Sequence, residues 1–157
     1  MGPAIILMAT GEHITGERLD LQSRMSDLAR VPPWIERLAS LYAIPDSTQF
    51  SINLCLEEVL SNIIRHGYSS EPGRSISVQF TCLGKDNFVF VVEDEAPPFD
   101  PVHSPALPAV GEFTLDQIGG QGIRLLREFA DALEYQPTPS GNRLSIGFSS
   151  VSSAARN

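Results

Sequence analysis

The first residues of this chain that suggest chemistry are a carboxylate and a carboxamide placed four positions apart. Glu58 and Asn62 stand in a segment whose apolar residues recur at helical spacing, so both project from one side of a predicted helix. A carboxylate can orient or deprotonate an attacking hydroxyl, and a carboxamide oxygen is a suitable ligand for Mg²⁺. Such a pair suits phosphoryl transfer, although Glu and Asn at this spacing are also common on solvated helix surfaces.

The helix that carries this pair is predicted over residues 49–66. With about 100° of rotation per residue, its apolar arc is centred near Leu56 and Ile63. Three polar residues are expected opposite that arc, in water: Glu57, Ser61 and Arg65. A second row is expected at the margin of the arc, where a pocket wall would stand: Glu58, Asn62 and His66. Asp46 or Ser47 is the expected N-cap, and Gly67 is the expected stop in the C′ position.

A second patch, residues 94–100 (DEAPPFD), comes soon after the apolar run at 88–92. An apolar strand that ends in an acid places the carboxylate at the edge of the sheet, where Asp94 can accept a hydrogen bond from an adenine amino group. Asp also commonly begins a turn, so that alternative stays open. Phe99 can stack under a base or pack in the core, and core packing is the expected position of a single Phe.

A third patch, residues 119–122 (GGQG), precedes a helix predicted over 123–129. Gly120 and Gly122 allow the backbone to approach phosphates, and a helix N-terminus attracts anions. The alternative is a flexible junction between loop and helix. This is not a dinucleotide-binding fingerprint, because Leu125 stands where the third glycine belongs, nor does it have the P-loop spacing. Taken together on one small domain, the three patches indicate an ATP site.

The elements that must position these patches follow from the apolar periods. Alternation of period two predicts a half-buried strand at 76–82, and the continuous apolar run at 88–92 predicts a central strand. A first helix is predicted within 25–42, starting at Pro32–Pro33, where proline is tolerated. Residues 101–118 are proline-rich without a period, and a loop of this length is usually functional or mobile. The remaining strands are predicted at 17–21, 131–135 and 144–148.

This order predicts an α+β fold, a two-layer sandwich in which a mostly antiparallel, mixed sheet carries helices on one face. One domain is expected over 1–157, with loose termini at 1–13 and 150–157. The net charge of −8 argues against a nucleic-acid surface, which needs clustered Lys and Arg. Cys55 and Cys82 are expected to be buried thiols, which fits a reducing cytoplasm, and a disulfide between them is the alternative. The apolar segment 4–9 is too short to span a membrane and lacks a basic flank, so a cytoplasmic protein is expected.

The three patches, in this order, resemble those of the GHKL ATPase superfamily, which includes gyrase, Hsp90, histidine kinases and MutL. Within it, the chain is similar to the bacterial anti-sigma-factor serine kinases of the RsbW and SpoIIAB type. Residues 56–68 (LEEVLSNIIRHGY) are similar to the N box, 94–101 to the adenine-reading box and 119–126 (GGQGIRLL) to the glycine box. The resemblance covers about 15–149, and it implies that 101–118 is the ATP lid.

The resemblance also implies roles for individual residues. The catalytic base would be Glu58, the Mg²⁺ ligand Asn62 and the adenine-reading residue Asp94. Further ATP contacts are then expected from seven positions: His66, Ala96, Phe99, Gly120, Gln121, Gly122 and Ile123. His66 has a second interpretation, as a helix-end residue that interacts with the last carbonyls.

The resemblance implies that the protein is a serine/threonine kinase that phosphorylates a STAS-domain anti-anti-sigma protein. That partner and a sigma factor would compete for the kinase. Two features depart from the family pattern, since Ala96 replaces the glycine of Asp-x-Gly and no Lys or Arg occurs between Pro101 and Gln121. The Ala96 methyl is expected near the base or ribose, where it would weaken binding. The alternative is a non-catalytic protein-binding module. Family members often form homodimers, but no apolar stripe here identifies such an interface.

Overall fold

The structure, a computed structural model, describes residues 16–103 and 124–150. The expectations for the first thirteen residues, for 151–157 and for most of the 101–118 loop lie outside the described residues. So do those for four candidate ATP contacts: Gly120, Gln121, Gly122 and Ile123.

The described residues form five strands, three α-helices, a 3-10 helix and a π-helical turn. The strands are β1 (Gly16–Gln22), β2 (Ser75–Leu83), β3 (Asn87–Asp94), β4 (Ala132–Pro137) and β5 (Asn142–Ser149). Helix α1 (Val31–Tyr42) follows a 3-10 helix at Met25–Arg30, and α2 (Asp46–Asn62) continues into a π-helical turn at Ile63–Gly67. Helix α3 comprises residues 124–129. The predicted order of elements is confirmed for these residues.

The strands form one sheet in the order β1-β2-β3-β5-β4. Each of the four pairings between described strands is antiparallel. The apolar run predicted as a central strand is β3, which lies in the middle of the sheet. Its last residue, Asp94, is in register with Ile76 of β2 on one side and with Asn142 of β5 on the other. The pairing therefore places the acid that ends β3 directly beside the start of β5.

The core lies between one face of the sheet and the helices. The alternation in β2 buries Ile76, Val78 and Phe80, and β3 adds Phe88 and Phe90 to the same cluster. The helices contribute fully buried side chains to that cluster: Ile35, Leu38, Ile52, Leu56 and Leu60. This arrangement confirms the predicted two-layer α+β sandwich, but the sheet that was predicted to be mixed is antiparallel throughout its described strands. The other face of β3 carries Val89 and Val91, which are also buried but form a separate small cluster.

Helix α2 begins and ends differently from the prediction. Its N-cap is Pro45, in an extended conformation and without a side-chain cap, so Asp46 is instead the first helical residue. At the other end, Gly67 is not in the left-handed conformation expected of a C′ glycine. The π-helical turn carries the helix through Gly67 to a C-cap at Tyr68, and the positive φ angles fall on Ser69 (50°) and Ser70 (62°). Such turns often mark functional sites, and this one follows Asn62 directly.

Helix α3 is anchored by its own apolar face. Leu126 is 2% exposed and Ala130, which follows the helix, is 8% exposed. Arg127 donates a hydrogen bond from Nη2 to the carbonyl of Val102 at 2.8 Å. The chain therefore returns at 124–129 close to the point where the described residues stop at 103. Among the described helices, none is long and apolar enough to cross a membrane.

The two cysteines are free thiols in the structure. Cys55 is buried on α2, as predicted, whereas Cys82 is only partly buried near the end of β2.

Candidate functional site

The two adjacent glutamates of α2 occupy different environments, as the helical spacing predicts. Glu57 is exposed and Glu58 is half-buried. Ser61, which was expected in water, is 7% exposed, so that prediction was wrong. Its hydroxyl donates to the Glu58 carbonyl at 3.2 Å, and a small side chain with a satisfied hydroxyl is buried at little cost.

The surroundings of Glu58 raise its affinity for a proton. Burial raises the pKa of its carboxyl above the ordinary value, and the neighbouring Glu57 charge raises it further, against an opposing effect of Arg65. Desolvation and a like charge both disfavour the ionised form. A carboxylate with a raised pKa is a stronger base than a fully solvated one, which suits the role expected of Glu58.

Asn62 is the last residue of the regular helix, and it is half-buried one turn beyond Glu58. Its carboxamide oxygen is a donor of the kind that Mg²⁺ prefers. Within 16–103 and 124–150, no group of three or more His, Cys, Asp or Glu side chains is placed to hold a metal. A single amide oxygen suits an ion such as Mg²⁺, which usually takes its other ligands from phosphates and water. His66, at the far end of the row, is exposed.

Asp94 is a buried carboxylate, 8% exposed, at the end of the central strand. Its Oδ1 accepts two hydrogen bonds, from the Ala96 backbone N–H at 2.8 Å and from Asn142 Nδ2 at 2.9 Å. Burial raises the pKa of the Asp94 carboxyl, and these two hydrogen bonds oppose the rise. The first bond is that of a turn begun by Asp, which was the alternative interpretation. Because both bonds end on Oδ1, Oδ2 is the oxygen left for a donor on a ligand.

The end of α2 lies against the segment that follows Asp94. The Tyr68 hydroxyl donates to the Ser75 carbonyl and accepts the Glu95 backbone N–H, both at 2.7 Å. Tyr68 is 4% exposed, and the Arg74 guanidinium lies 4.9 Å from its ring centroid. Two patches that stand about thirty residues apart in sequence, on α2 and after β3, thus meet through one buried hydroxyl.

The Ala96 methyl packs against the end of α2. Ala96 is 4% exposed, and a Cβ placed on Gly67 would lie only 2.9 Å from the Ala96 Cβ. The φ angle of Ala96 is not positive, so its backbone has a conformation that alanine adopts readily. The backbone at this position therefore does not require the glycine that the family usually has. The absence of a side chain on Gly67 leaves space for the Ala96 methyl.

We expect Gly67→Ala to destabilise the protein by about 1–3 kcal/mol, the usual cost of overpacking. Its φ is not in the left-handed region, so the expected loss comes from the contact with Ala96. The measurement is the free energy of unfolding in urea for Gly67→Ala, Ala96→Gly and the double variant. The double variant should recover part of the loss, a coupling of about 1 kcal/mol. Additive effects of the two substitutions would contradict this account of the contact.

Phe99 does not pack in the core, contrary to expectation. Phe99 is 56% exposed, although its side chain is large and apolar. The segment is held by its backbone instead, since the Phe99 N–H donates to Asn142 Oδ1 at 3.0 Å. Pro97 and Pro98 precede it, and their fixed φ angles limit how far the chain can turn back towards the core.

The residues that hold Asp94 in place were not identified as functional from the sequence. Asn142 contacts the carboxylate directly, and Gly141 lets the strands approach, because a Cβ there would lie 2.0 Å from the Asp94 carbonyl oxygen. The sequence signals were a Gly-Asn pair before an apolar strand and the resemblance of residues 141–144 to the closing hairpin of the family. These signals become informative only when β5 is known to pair with β3.

Comparison with known proteins gives consistent results. The model of a family described as the histidine kinase-like ATPase domain matches residues 21–148. The serine/threonine-protein kinase BtrW of Bordetella bronchiseptica is 29% identical over 114 residues, which cover 72% of this chain and 79% of that protein.

Two solved structures share the fold. One contains the RsbU and RsbW domains of a Mycobacterium tuberculosis protein, with a TM-score of 0.61, 13% identity and 85% of this chain covered. The other is a blue-light activated histidine kinase from Erythrobacter litoralis, with a TM-score of 0.51, 18% identity and 79% covered. This chain spans 32% of the first of these chains and 41% of the second.

Proposed function

Because this chain belongs to the histidine kinase-like ATPase domain family, we propose that it is an ATP-dependent serine/threonine protein kinase formed by a single domain. It would transfer the γ-phosphate of ATP to a Ser or Thr of a partner protein. The observation that carries this proposal is the meeting of two patches. The end of the helix that bears Glu58 and Asn62 is joined, through Tyr68, to the segment that begins at Asp94.

Recognition of the base is the proposed role of Asp94. Its Oδ1 is occupied by two donors of the protein, so Oδ2 would accept a hydrogen bond from the 6-amino group of adenine. Asp94 is only 8% exposed, and a hydrogen bond from a ligand to its carboxylate is stronger in such surroundings than in bulk water. His66, Ala96 and Phe99 are proposed to lie around the nucleotide, together with the glycine patch. The exposed Phe99 ring is available to cover a base.

Glu58 is the proposed general base. Its carboxylate would take the proton of the Ser or Thr hydroxyl while the hydroxyl oxygen forms a bond to the γ-phosphorus. The bond from that phosphorus to the β,γ-bridging oxygen breaks, and ADP leaves. Positioning and charge stabilisation supply most of the rate in such reactions. Asn62 would hold Mg²⁺, which when bound offsets the charge of the phosphate oxygens.

The proposed partner is a STAS-domain anti-anti-sigma protein, with a sigma factor as its competitor, so that phosphorylation would regulate transcription. Support comes from the similarity to BtrW, which is named a serine/threonine-protein kinase, and from the resemblance of the three boxes to anti-sigma-factor kinases. Free thiols at Cys55 and Cys82 fit the cytoplasm as the compartment.

A second candidate function is supported by the composition of the loop. From Pro101 to Gln121 the chain has no Lys or Arg, so this segment brings no permanently cationic side chain to a triphosphate. A family member that binds its partner without phosphorylating it would carry the same fold. Nucleotide would then be absent or would serve only to stabilise the structure.

The test is transfer of label from [γ-³²P]ATP to purified STAS-domain proteins, with the full chain as the enzyme. Label on a Ser or Thr of one such protein supports the kinase. Nucleotide-dependent complex formation without label supports the binding module. A STAS protein whose acceptor Ser or Thr is replaced by Ala is the matched control.

A further inference from the structure

The side chain of Asn142 makes more polar contacts than a strand residue needs. Its Nδ2 lies 2.9 Å from Asp94 Oδ1, 3.1 Å from the Ala96 carbonyl oxygen and 3.2 Å from the Pro97 carbonyl oxygen. Its Oδ1 accepts the Phe99 N–H at 3.0 Å and the Tyr135 hydroxyl. Asn142 itself is 7% exposed. One buried carboxamide thus contacts most of the segment from Asp94 to Phe99.

A carboxamide suits this set of partners, and because its nitrogen has two N–H groups for three acceptors, two of the acceptors share one N–H. Three of the partners are acceptors and two are donors, so the side chain must donate from one end and accept at the other. A carboxylate would place an acceptor against Asp94 Oδ1, and an aliphatic side chain would leave several buried groups unpaired. The strand register delivers the residue, because Asn142 is the cross-strand partner of Asp94.

The contact also fixes the direction of the Asp94 carboxylate. With Oδ1 held by both Ala96 and Asn142, the carboxylate plane cannot rotate freely, and Oδ2 points in one direction. Without Asn142, a single backbone N–H would hold Asp94. The hydrogen bond from Asn142 also opposes the effect of burial on the pKa of Asp94, which favours the ionised, accepting form.

We propose that Asn142 is a positioning and specificity-determining residue, which sets the preference for an adenine base by fixing Asp94 Oδ1 and thereby orienting Oδ2. This inference rests on the proposed ATP site. Loss of the Asn142 amide should therefore reduce the contribution of the 6-amino group to the affinity for ATP. The contribution of the triphosphate to that affinity should stay nearly unchanged.

The experiment compares the dissociation constants of Mg-ATP and of purine riboside triphosphate, which is ATP without its 6-amino group. The native full chain is expected to prefer ATP by about tenfold or more, since a site built to hydrogen-bond a ligand N–H rejects the analogue that lacks it. In Asn142→Leu the affinity for ATP should fall about tenfold, and that for the analogue less than about threefold. The preference for ATP is then nearly lost.

Two further variants keep the test decisive. Arg143→Gln changes the next residue, whose side chain pairs with Glu93 at 3.1 Å, and it should keep the native preference. Asn142→Asp retains the shape of the Asn142 side chain, and its preference for ATP over the analogue should also be lost. It replaces Asn142→Leu in the test if circular dichroism shows that Asn142→Leu is unfolded.

If the Asn142 variants lose affinity for ATP and for the analogue equally, Asn142 has only a structural role and the inference is overturned. The inference is also overturned if the variants still prefer ATP as the native protein does. A native protein that binds neither nucleotide would overturn the proposed function, and the inference with it.

Discussion

Replacing Asp94 with Asn is expected to weaken ATP binding by about 100-fold, which corresponds to about 2.7 kcal/mol. The new amide would keep its oxygen towards the Ala96 N–H and Asn142, where Oδ1 now accepts two hydrogen bonds. Its nitrogen would then replace Oδ2 and present a donor to the donating 6-amino group of adenine. The measurement is a calorimetric titration with Mg-ATP. The matched control is Glu95→Gln, which makes the same chemical change at an exposed neighbour.

The same substitution should not reduce the stability of the protein without nucleotide. Burial raises the pKa of Asp94 in the folded state, so the native protein binds this proton more tightly than the unfolded chain does. Stability is therefore lost as pH rises through the range above the ordinary Asp pKa. At neutral pH, Asp94→Asn removes that cost, and the midpoint of thermal unfolding should stay the same or increase. Native-like ATP affinity in a folded Asp94→Asn variant would contradict the proposed role of Asp94.

Replacing Glu58 with Gln is expected to reduce phosphoryl transfer by about 100- to 10,000-fold, the usual contribution of a general base. Gln keeps the size of the side chain and loses the ability to take a proton. Affinity for Mg-ATP should change by less than about threefold, because the proposed role acts on the hydroxyl of the partner. The measurement is the single-turnover rate of transfer, and Glu57→Gln, exposed and adjacent, is the control. A Glu58→Gln variant that transfers phosphate at the native rate would refute the assignment.

The pH dependence of transfer adds a second readout for Glu58. The base must be ionised, so the rate rises with pH as its proton is lost. Because burial and then Glu57 raise the pKa of Glu58, the rise should lie at higher pH than for an ordinary Glu. Glu57→Gln removes one of these causes and should move the rise to lower pH, whereas Glu58→Gln should abolish it.

The elements of the fold were predictable because their signals are local. Period-two alternation gave β2, the apolar run gave β3, and the helical stripe gave α2 with Glu57 exposed and Glu58 half-buried. The position of Asp94 at the end of a buried strand followed from the same run of residues. Each of these features depends on neighbours within one or two turns, or on the alternation within a single strand.

The features that were missed depend on contacts between distant segments. Asn142 lies 48 residues beyond Asp94, and its role follows from the pairing of β3 with β5. The fit between Gly67 and Ala96 likewise joins a helix end to a turn. Phe99 was expected in the core because a single Phe usually packs there, whereas its side chain is exposed and its backbone N–H donates to Asn142, which lies 43 residues further along the chain.

The most direct test of the ATP site is a calorimetric titration of Mg-ATP into the native full chain and into Asn62→Ala, repeated with EDTA in place of magnesium. Asn62 is the proposed protein ligand of the metal. We expect saturable binding to the native protein that weakens in EDTA, and loss of this magnesium dependence in Asn62→Ala. Absence of binding to the native protein at millimolar Mg-ATP would contradict the account and leave a protein-binding module with this fold.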